Sequence, residues 1–302
     1  MDPKEIAPAP ALVIGGPTAS GKSTLALELA QKTGAEIINA DAFQLYRGLP
    51  LLTAQPSPQE LALAPHQLVG EFDLAELFDA ARYMRLARER IAQSWAAGRP
   101  PILVGGTGLY IRSVLYGLSE GLPSPDAALR LDLETRPIAD LCRQLVSLDG
   151  EAAHTVDLQN PRRVIRALEV CLLTGRPFTS FREPKRLERP LVGVWLSVDR
   201  ALLHHKIETR AGQLFQNGVE EEVRLALPRV GSNSKQAIGL QDVRDVLEGK
   251  ASRETAVERI VFATRQYARR QETWFRKETA LKALSPEHSL KFCLGLLENR
   301  RP

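Results

Sequence analysis

The stretch LVIGGPTASGKSTLALELA, residues 12–30, constrains the fold more than any other part of this chain. An apolar β-run, Ala11–Ile14, leads into a glycine-punctuated turn. A helix follows from Ser23 to about Thr33, and Gly34 is placed to end it. Gly16-x-x-x-x-Gly21-Lys22-Ser23 has the spacing of a phosphate-binding loop, in the strand–loop–helix context such a loop needs. Its glycines let backbone N–H groups point into a concavity, and the helix N-terminus adds partial positive charge. Lys22 brings a mobile cation, and the Ser23 hydroxyl is a candidate ligand for Mg2+. Gly16, Pro17, Thr18, Ala19, Ser20, Gly21, Lys22 and Ser23 together form the expected seat of a phosphorylated ligand.

Two further strands follow in the same half: EIINAD (36–41), which ends in an acid, and PPILVGG (100–106). Between them a helix over about 79–97 is expected to turn Met84, Ala87, Ile91 and Trp95 inward. This alternation predicts an α/β fold, a P-loop NTPase-like parallel sheet flanked by helices. After Gly121 the grammar changes to helical patterns with no convincing strand. Pro137 opens a helix with Ile138, Leu141, Leu145 and Leu148 inward, and Asn160–Pro161 is an N-cap followed by proline at the first helical position. That helix buries Val164, Leu168 and Cys171 and stops at Gly175. LVGVWLSVD (191–199) returns to strand, and the remainder to about 277 reads as helix. The expectation is a catalytic core of 1–122 and 189–302, with C-terminal helices, interrupted by an all-helical insert at 123–188.

Three well-separated cysteines, Cys142, Cys171 and Cys293, form no CxxC pair. They exclude a structural zinc or disulfide framework and fit a reducing cytosol. No run of about 20 apolar residues exists to cross a bilayer. The start, with Asp2, Lys4 and Glu5, lacks signal-peptide layout. A cytoplasmic monomer is expected. The net charge of +4 is mild, but it is concentrated. Residues 160–190 carry eight Arg or Lys against three Glu, and 253–277 carry seven against three. Nearly all of the excess is arginine, suited to forked contacts with phosphates and bases, although two solvated helix faces would have the same composition.

Which phosphate the loop holds depends on the acids. An NTPase of this class needs a strand-end carboxylate to orient Mg2+ and water, and ILVGGTGLY supplies none. Asp41 and Asp199 do end strands. Asp199 stands before a helix and reads as a cap. Asp41, directly after the first helix, is expected on a strand beside the loop, with its carboxylate at the sheet edge where ligands of open α/β folds sit. A carboxylate beside a diphosphate, without γ-phosphate machinery, suggests a different reaction. Diphosphate, once neutralised, leaves an allylic carbon for an attacking atom that needs a base.

With these residues assembled, the chain resembles the bacterial tRNA dimethylallyltransferase (tRNA isopentenyltransferase) family over nearly its whole length. GPTASGKS (16–23) is that family's form of the loop, and DAFQLYRGLPLLTAQP (41–56) resembles its DSxQxYRGxxIGTAKP. APHQLVGEFDL (64–74), ILVGGTGLY (102–110), NPRRVIRALEV (160–170) and ATRQYARRQETWF (263–275) follow in family order. The resemblance implies transfer of a dimethylallyl group from dimethylallyl diphosphate to N6 of adenine 37, beside the anticodon of tRNA. It also implies Asp41 as general base and Thr107 at the reaction centre. Arg130 would approach the tRNA or the diphosphate, and Arg210 would face the diphosphate. Gln44, with Ala42 and Phe43 beside it, would receive the extruded adenine. Arg162, Arg163, Val164, Ile165 and Arg166 in the insert, and Arg270 on the last helix, would meet the anticodon stem-loop. The chemistry agrees: a stacked adenine N6 is out of reach until the base is flipped, and sequence-specific RNA readers work on single-stranded loops. The chain departs from the family pattern at Ala42 (usually Ser), Leu52 (Gly), Gln55 (Lys), Arg162 (Gln) and Leu240 (often Tyr). Rival readings are an ATP-dependent small-molecule kinase, an isopentenyltransferase acting on free AMP, and a non-enzymatic RNA binder with a vestigial loop.

Overall fold

A computed structural model describes residues 9–118, 121–181 and 192–299. The acids and lysine near the start, Leu191, and the expected end of the insert at 188/189 lie outside the described residues. The chain divides into two compact units, Met1–Gly117 with Glu188–Pro302, and Leu118–Leu187. The first boundary falls at 117/118, where helix α5 ends, rather than at 122/123.

In the first unit the elements run β1 (Leu12–Gly15), α1 (Lys22–Thr33), β2 (Glu36–Asn39), α2 (Pro50–Thr53), α3 (Pro58–Leu63), β3 (His66–Gln67), α4 (Ala80–Ala96), β4 (Pro101–Gly105) and α5 (Gly108–Tyr116). The second unit holds α6 (Ala127–Glu134), α7 (Ile138–Leu148), α8 (Ala152–Thr155) and α9 (Pro161–Thr174). The first unit then resumes with β5 (Gly193–Leu196), α10 (Arg200–Gln216), α11 (Val219–Ala226), α12 (Leu240–Leu247), α13 (Arg253–Phe275), β6 (Leu281–Leu284) and α14 (Pro286–Glu298).

The six strands form one parallel sheet in the order β3-β2-β4-β1-β5-β6. The inner strands are buried on both sides, so they read as continuous apolar runs instead of alternating. The strand period still sorts their side chains. Val13, Ile38 and Leu103 join one core cluster, whereas Leu12, Ile14, Ile37 and Ile102 join another with Leu25 and Leu29 of α1 and Cys293 and Leu297 of α14. Asp41's strand is not the loop strand's neighbour, because β4 lies between β2 and β1. Parallel register brings the two ends together all the same, since every strand points its C-terminal end to the same edge.

Several local expectations change with packing. The buried stripe of α4 is Tyr83, Ala87, Ile91 and Ser94, rotated from the expected one, because the Tyr83 hydroxyl donates to the Asn39 carbonyl at 2.8 Å and its ring stacks on Tyr110. In α7 only Leu141 and Leu145 are buried, and Ile138 and Leu148 lie exposed at its ends. The strand β6 and the helix α14 extend the fold beyond the expected elements. β6 is an edge strand with two exposed side chains, whereas Ser285–Pro286 is a legible start signal for α14.

The second unit is held by its own core of Leu133, Leu141, Leu145, Val164, Ala167 and Leu168. Beside it lies a buried carboxylate, Glu169. Arg130 closes on it with Nε and Nη2, each at 2.9 Å, Arg166 Nη1 donates at 2.5 Å, and the Asp126 amide donates at 2.8 Å. Burial works to raise the Glu169 pKa, but the hydrogen bonds from Arg130, Arg166 and Asp126 outweigh it and hold it below the ordinary carboxyl value. A depressed folded-state pKa contributes stability that is present above the unfolded value, near 4.5, and is lost as pH falls through the folded one. Glu169→Gln is expected to destabilise this unit by about 3 kcal/mol at neutral pH. It should also flatten the acid side of its stability profile, measured by thermal unfolding between neutral pH and about pH 3.

Candidate active site

The C-terminal edge of the sheet gathers the loop after β1, Asp41 after β2 and Thr107 after β4. The loop's form is set by its backbone. Gly16 and Gly21 have φ of 147° and 92°, and Ala19 sits at 63°, so the chain reverses hand repeatedly and its amides turn to one side. Lys22 Nζ donates to the Pro17 carbonyl at 3.3 Å, and Ser23 at the start of α1 is exposed. Ser20 is fully buried and its hydroxyl has no partner, an orphan polar atom inside a loop shaped for an anion.

Asp41 is held from several directions. Asn39 Oδ1 accepts from the Asp41 amide at 3.0 Å, while Asn39 Nδ2 donates to the carbonyls of Asp41 and Leu68. Thr107 Oγ1 accepts from the Ala42 amide at 3.0 Å, and the Thr107 amide donates to the Ala40 carbonyl. The Asp41 carboxylate accepts from the Phe43 amide at 3.1 Å. Its charge is felt on both sides. Burial lowers the Lys22 pKa, with Asp41 opposing and Arg210 adding to the shift; burial lowers that of Arg210 too, with Asp41 opposing.

Two clefts meet at Asp41. The first encloses about 650 Å3 of empty space, part of it open to solvent. Its lining includes Thr18, Ala19, Asp41, Arg210 and Tyr267, together with the apolar side chains of Leu52, Ile207, Leu214, Ile238 and Ile260. Arg210 reaches it from α10, with Nη1 on Thr18 Oγ1 at 3.4 Å and Nη2 on the Leu52 carbonyl at 3.3 Å. The second cleft, about 370 Å3, is lined by Lys22, Ser23, Asn39, Asp41, Gln44 and His66 among others. Gln44 Nε2 donates to the carbonyls of Thr53 and Ala54, which leaves its carbonyl oxygen as the group able to accept from a ligand.

Four site residues are not singled out by sequence reasoning. Asn39 is visible there only as the last polar residue of a strand. His66 donates from Nδ1 to the Ala64 carbonyl at 2.8 Å, and burial lowers its pKa, so the neutral ring keeps a lone pair on Nε2. Burial pushes the Tyr267 phenol pKa up, with Thr107 and Gln271 opposing the shift. Gln271, buried on α13, accepts from the Thr18 amide at 2.9 Å and donates to the Gly106 carbonyl at 3.0 Å. Gly106 makes room for it, since a Cβ there would stand 2.1 Å from Gln271 Nε2. One helix thus pins the phosphate loop to the loop after β4.

The expected nucleic-acid residues divide. Arg162 and Arg163 are exposed on the first turn of α9, and Arg270 is exposed on α13 with its guanidinium 5.8 Å from the Tyr267 ring. Arg259, Gln266 and Thr273 are exposed on α13 as well, and Lys277 is exposed just after it. Val164 and Ile165 are corrected: their side chains are buried in the second unit's core and present no surface to an RNA. Arg130, expected to approach the tRNA or the diphosphate, has its fork closed on Glu169, and Arg166 is spent on Glu169 and the Pro123 carbonyl. Both tie their unit together. Asp199 caps α10 as expected, accepting from the amides of Ala201 and Leu202. Of the departures from the family pattern, Gln55 donates to the Tyr46 carbonyl at 2.7 Å, Leu240 is buried in the core, and Leu52 walls the first cleft.

The family described as IPP transferase matches residues 44–278. The tRNA dimethylallyltransferase of Myxococcus xanthus (strain DK1622) is 42% identical over 294 residues, 94% of each chain. That of Methylobacterium sp. (strain 4-46) is 42% identical, over 93% of this chain and 96% of its own. Among solved structures, the full-length tRNA isopentenylpyrophosphate transferase from Bacillus halodurans is 32% identical with a TM-score of 0.67, covering 95% of this chain and 96% of that one. A eukaryotic dimethylallyltransferase, described as acting on tRNA, has a TM-score of 0.77 at 25% identity, covering 96% and 79%.

Replacing Gln271 by leucine leaves the Thr18 amide and the Gly106 carbonyl unpaired. The expected outcome is a loss of about 2 kcal/mol in unfolding free energy and weaker binding of inorganic diphosphate. Chemical denaturation and calorimetry are the measurements.

Proposed function

The chain belongs to the IPP transferase family of tRNA dimethylallyltransferases, and from that premise we propose how its own residues carry out the transfer. A prenyl group passes from dimethylallyl diphosphate to tRNA, and the acceptor atom in this reading is N6 of adenine 37. The observation that carries it is the meeting of the two clefts at one carboxylate. A diphosphate ester suits the first cleft, with its phosphates held between Thr18, Ala19 and Arg210 there and Lys22 and Ser23 of the adjoining cleft, and its five-carbon chain among Leu52, Ile207 and Leu214. A flipped purine suits the second, where the Gln44 oxygen can accept from the exocyclic amine.

Asp41, held by Asn39, Thr107 and its own turn, stands where the amine and the allylic carbon meet. The C1–O bond to diphosphate breaks, a bond forms from N6 to C1, and the N6 proton passes to the Asp41 carboxylate. Lys22, Arg210 and the loop amides take up the charge of the departing diphosphate. Burial works against the charge of both Lys22 and Arg210, a cost that a bound diphosphate anion offsets.

Mg2+ fits as a partner of the leaving group. Its preferred donors are oxygens, and the Ser23 hydroxyl stands exposed in a cleft that also holds Asp41. Among the described residues no cluster of three or more His, Cys, Asp or Glu could hold a metal, so the ion would rest mainly on diphosphate oxygens and water. When bound, it adds neutralising charge to the leaving group. Arg162 and Arg163 on α9 and Arg270 on α13 are the proposed tRNA contacts. Among the described residues no helix is long and apolar enough to cross a membrane.

Incubation with labelled dimethylallyl diphosphate, Mg2+ and unmodified tRNA is expected to label tRNA, whereas AMP stays unlabelled and ATP is not consumed. Asp41→Asn should lower kcat by about 10²–10⁴-fold with tRNA affinity unchanged, and loss of tRNA binding would remove Asp41 from the role of base. Arg162→Ala with Arg163→Ala should weaken tRNA binding and reduce its log–log salt slope by about 0.7 for each phosphate no longer neutralised. An unchanged slope would place the RNA surface elsewhere.

A further inference from the structure

Helix α2 is four residues long, too short to hold its own shape, because a first helical turn fixes several dihedrals for a single hydrogen bond. It nevertheless bears on both clefts, lining the first and anchoring a side chain of the second. Its Leu52 and Thr53 line the first. The Leu52 carbonyl accepts from Arg210 Nη2, and the carbonyls of Thr53 and Ala54 accept from Gln44 Nε2 at 3.2 and 2.7 Å. An arginine of the donor cleft and an amide of the acceptor cleft are therefore aimed by consecutive carbonyls of one small turn. Its own fixation comes from elsewhere in the chain. Glu222 on α11, 171 residues from Leu51, accepts from the Leu51 amide through Oε2 at 2.7 Å and from the Leu52 amide through Oε1 at 2.8 Å. Pro50 precedes them and has no N–H to offer, so these two amides are the donors by which the start of the turn can be gripped. The carboxylate is only partly exposed, and charge-assisted bonds to backbone N–H are among the stronger hydrogen bonds a protein makes.

We propose that Glu222 is a positioning residue for both clefts: by gripping the Leu51 and Leu52 amides it fixes α2, and through the carbonyls of α2 it aims Arg210 and Gln44. It touches neither ligand. The inference rests on the reading of the first cleft as the diphosphate site. A carboxylate is required because both amides donate; a glutamine in its place accepts one and turns its own N–H groups toward the other.

The test compares the full-length protein with Glu222→Gln and with Glu221→Gln, whose carboxylate is exposed and paired with Arg224. Inorganic diphosphate binding is read by calorimetry, and transfer by steady-state kinetics with tRNA and dimethylallyl diphosphate. Glu222→Gln is expected to weaken diphosphate binding about tenfold, equal to about 1.4 kcal/mol, and to raise the donor KM by a similar factor. It should lower kcat through Gln44 and leave tRNA affinity within about twofold, while Glu221→Gln matches the parent in every readout. Unchanged diphosphate affinity and donor KM in a folded Glu222→Gln protein would overturn the proposal, as would a loss of activity that follows the folded fraction alone. If Glu222→Gln gives no folded protein, Glu222→Asp, one methylene too short to hold both amides, is read by the same criteria. The diphosphate measurement needs no turnover: a parent that binds diphosphate but never labels tRNA would sink the transferase reading and leave the role of Glu222 to stand or fall on the binding comparison.

Discussion

Parallel register is the constraint on which everything at the site depends. Six strands running the same way must deliver their C-terminal ends to one edge, so a phosphate loop after β1, an aspartate after β2 and a threonine after β4 converge without being neighbours in sequence. The interposed β4 does not separate the loop from Asp41. It supplies the Gly106–Thr107 turn that hydrogen-bonds both ways, to Ala40 and Ala42 on one side and to Gln271 on the other. The helices α10 and α13 then close the edge, bringing Arg210 and Gln271 to a loop about 190 and 250 residues earlier in the chain.

Much of this is legible in the residues. The loop announces itself because few other structures need glycines at that spacing before a lysine and a serine. Asp41 is legible because it follows an apolar run, and Asp199 because it precedes a helix. Gln271, Asn39 and Glu222 are not, since their roles depend on reaching backbone groups that only the folded chain brings near. A polar residue inside an apolar pattern says that it will find a partner, not which one. The rotated stripe of α4 has the same origin: Tyr83 is drawn inward by the Asn39 carbonyl and by Tyr110, neither of which helical periodicity can register.

The second unit shows why charge counts mislead. Its arginines suggest a uniform polyanion-facing surface, yet Arg130 and Arg166 turn inward onto Glu169, Arg130 holding α6 to α9, while Arg162 and Arg163 remain on the outside. The three groups that surround one buried carboxylate are structural, and the excess that counts toward a partner is smaller than composition implies. A carboxylate and a guanidinium in the same helix, three residues apart, are a sign that a positive run is partly internal.

The pairing of Gln271 with Thr18 also has a consequence for biosynthesis. A growing polypeptide exposes its phosphate loop early, but the side chain that accepts the Thr18 hydrogen arrives only after some 250 further residues have been added. Until α13 has left the ribosome, the loop lacks that tether to the turn after β4. The nascent chain therefore carries an incomplete site until α13 emerges, and catalytic competence cannot precede that step.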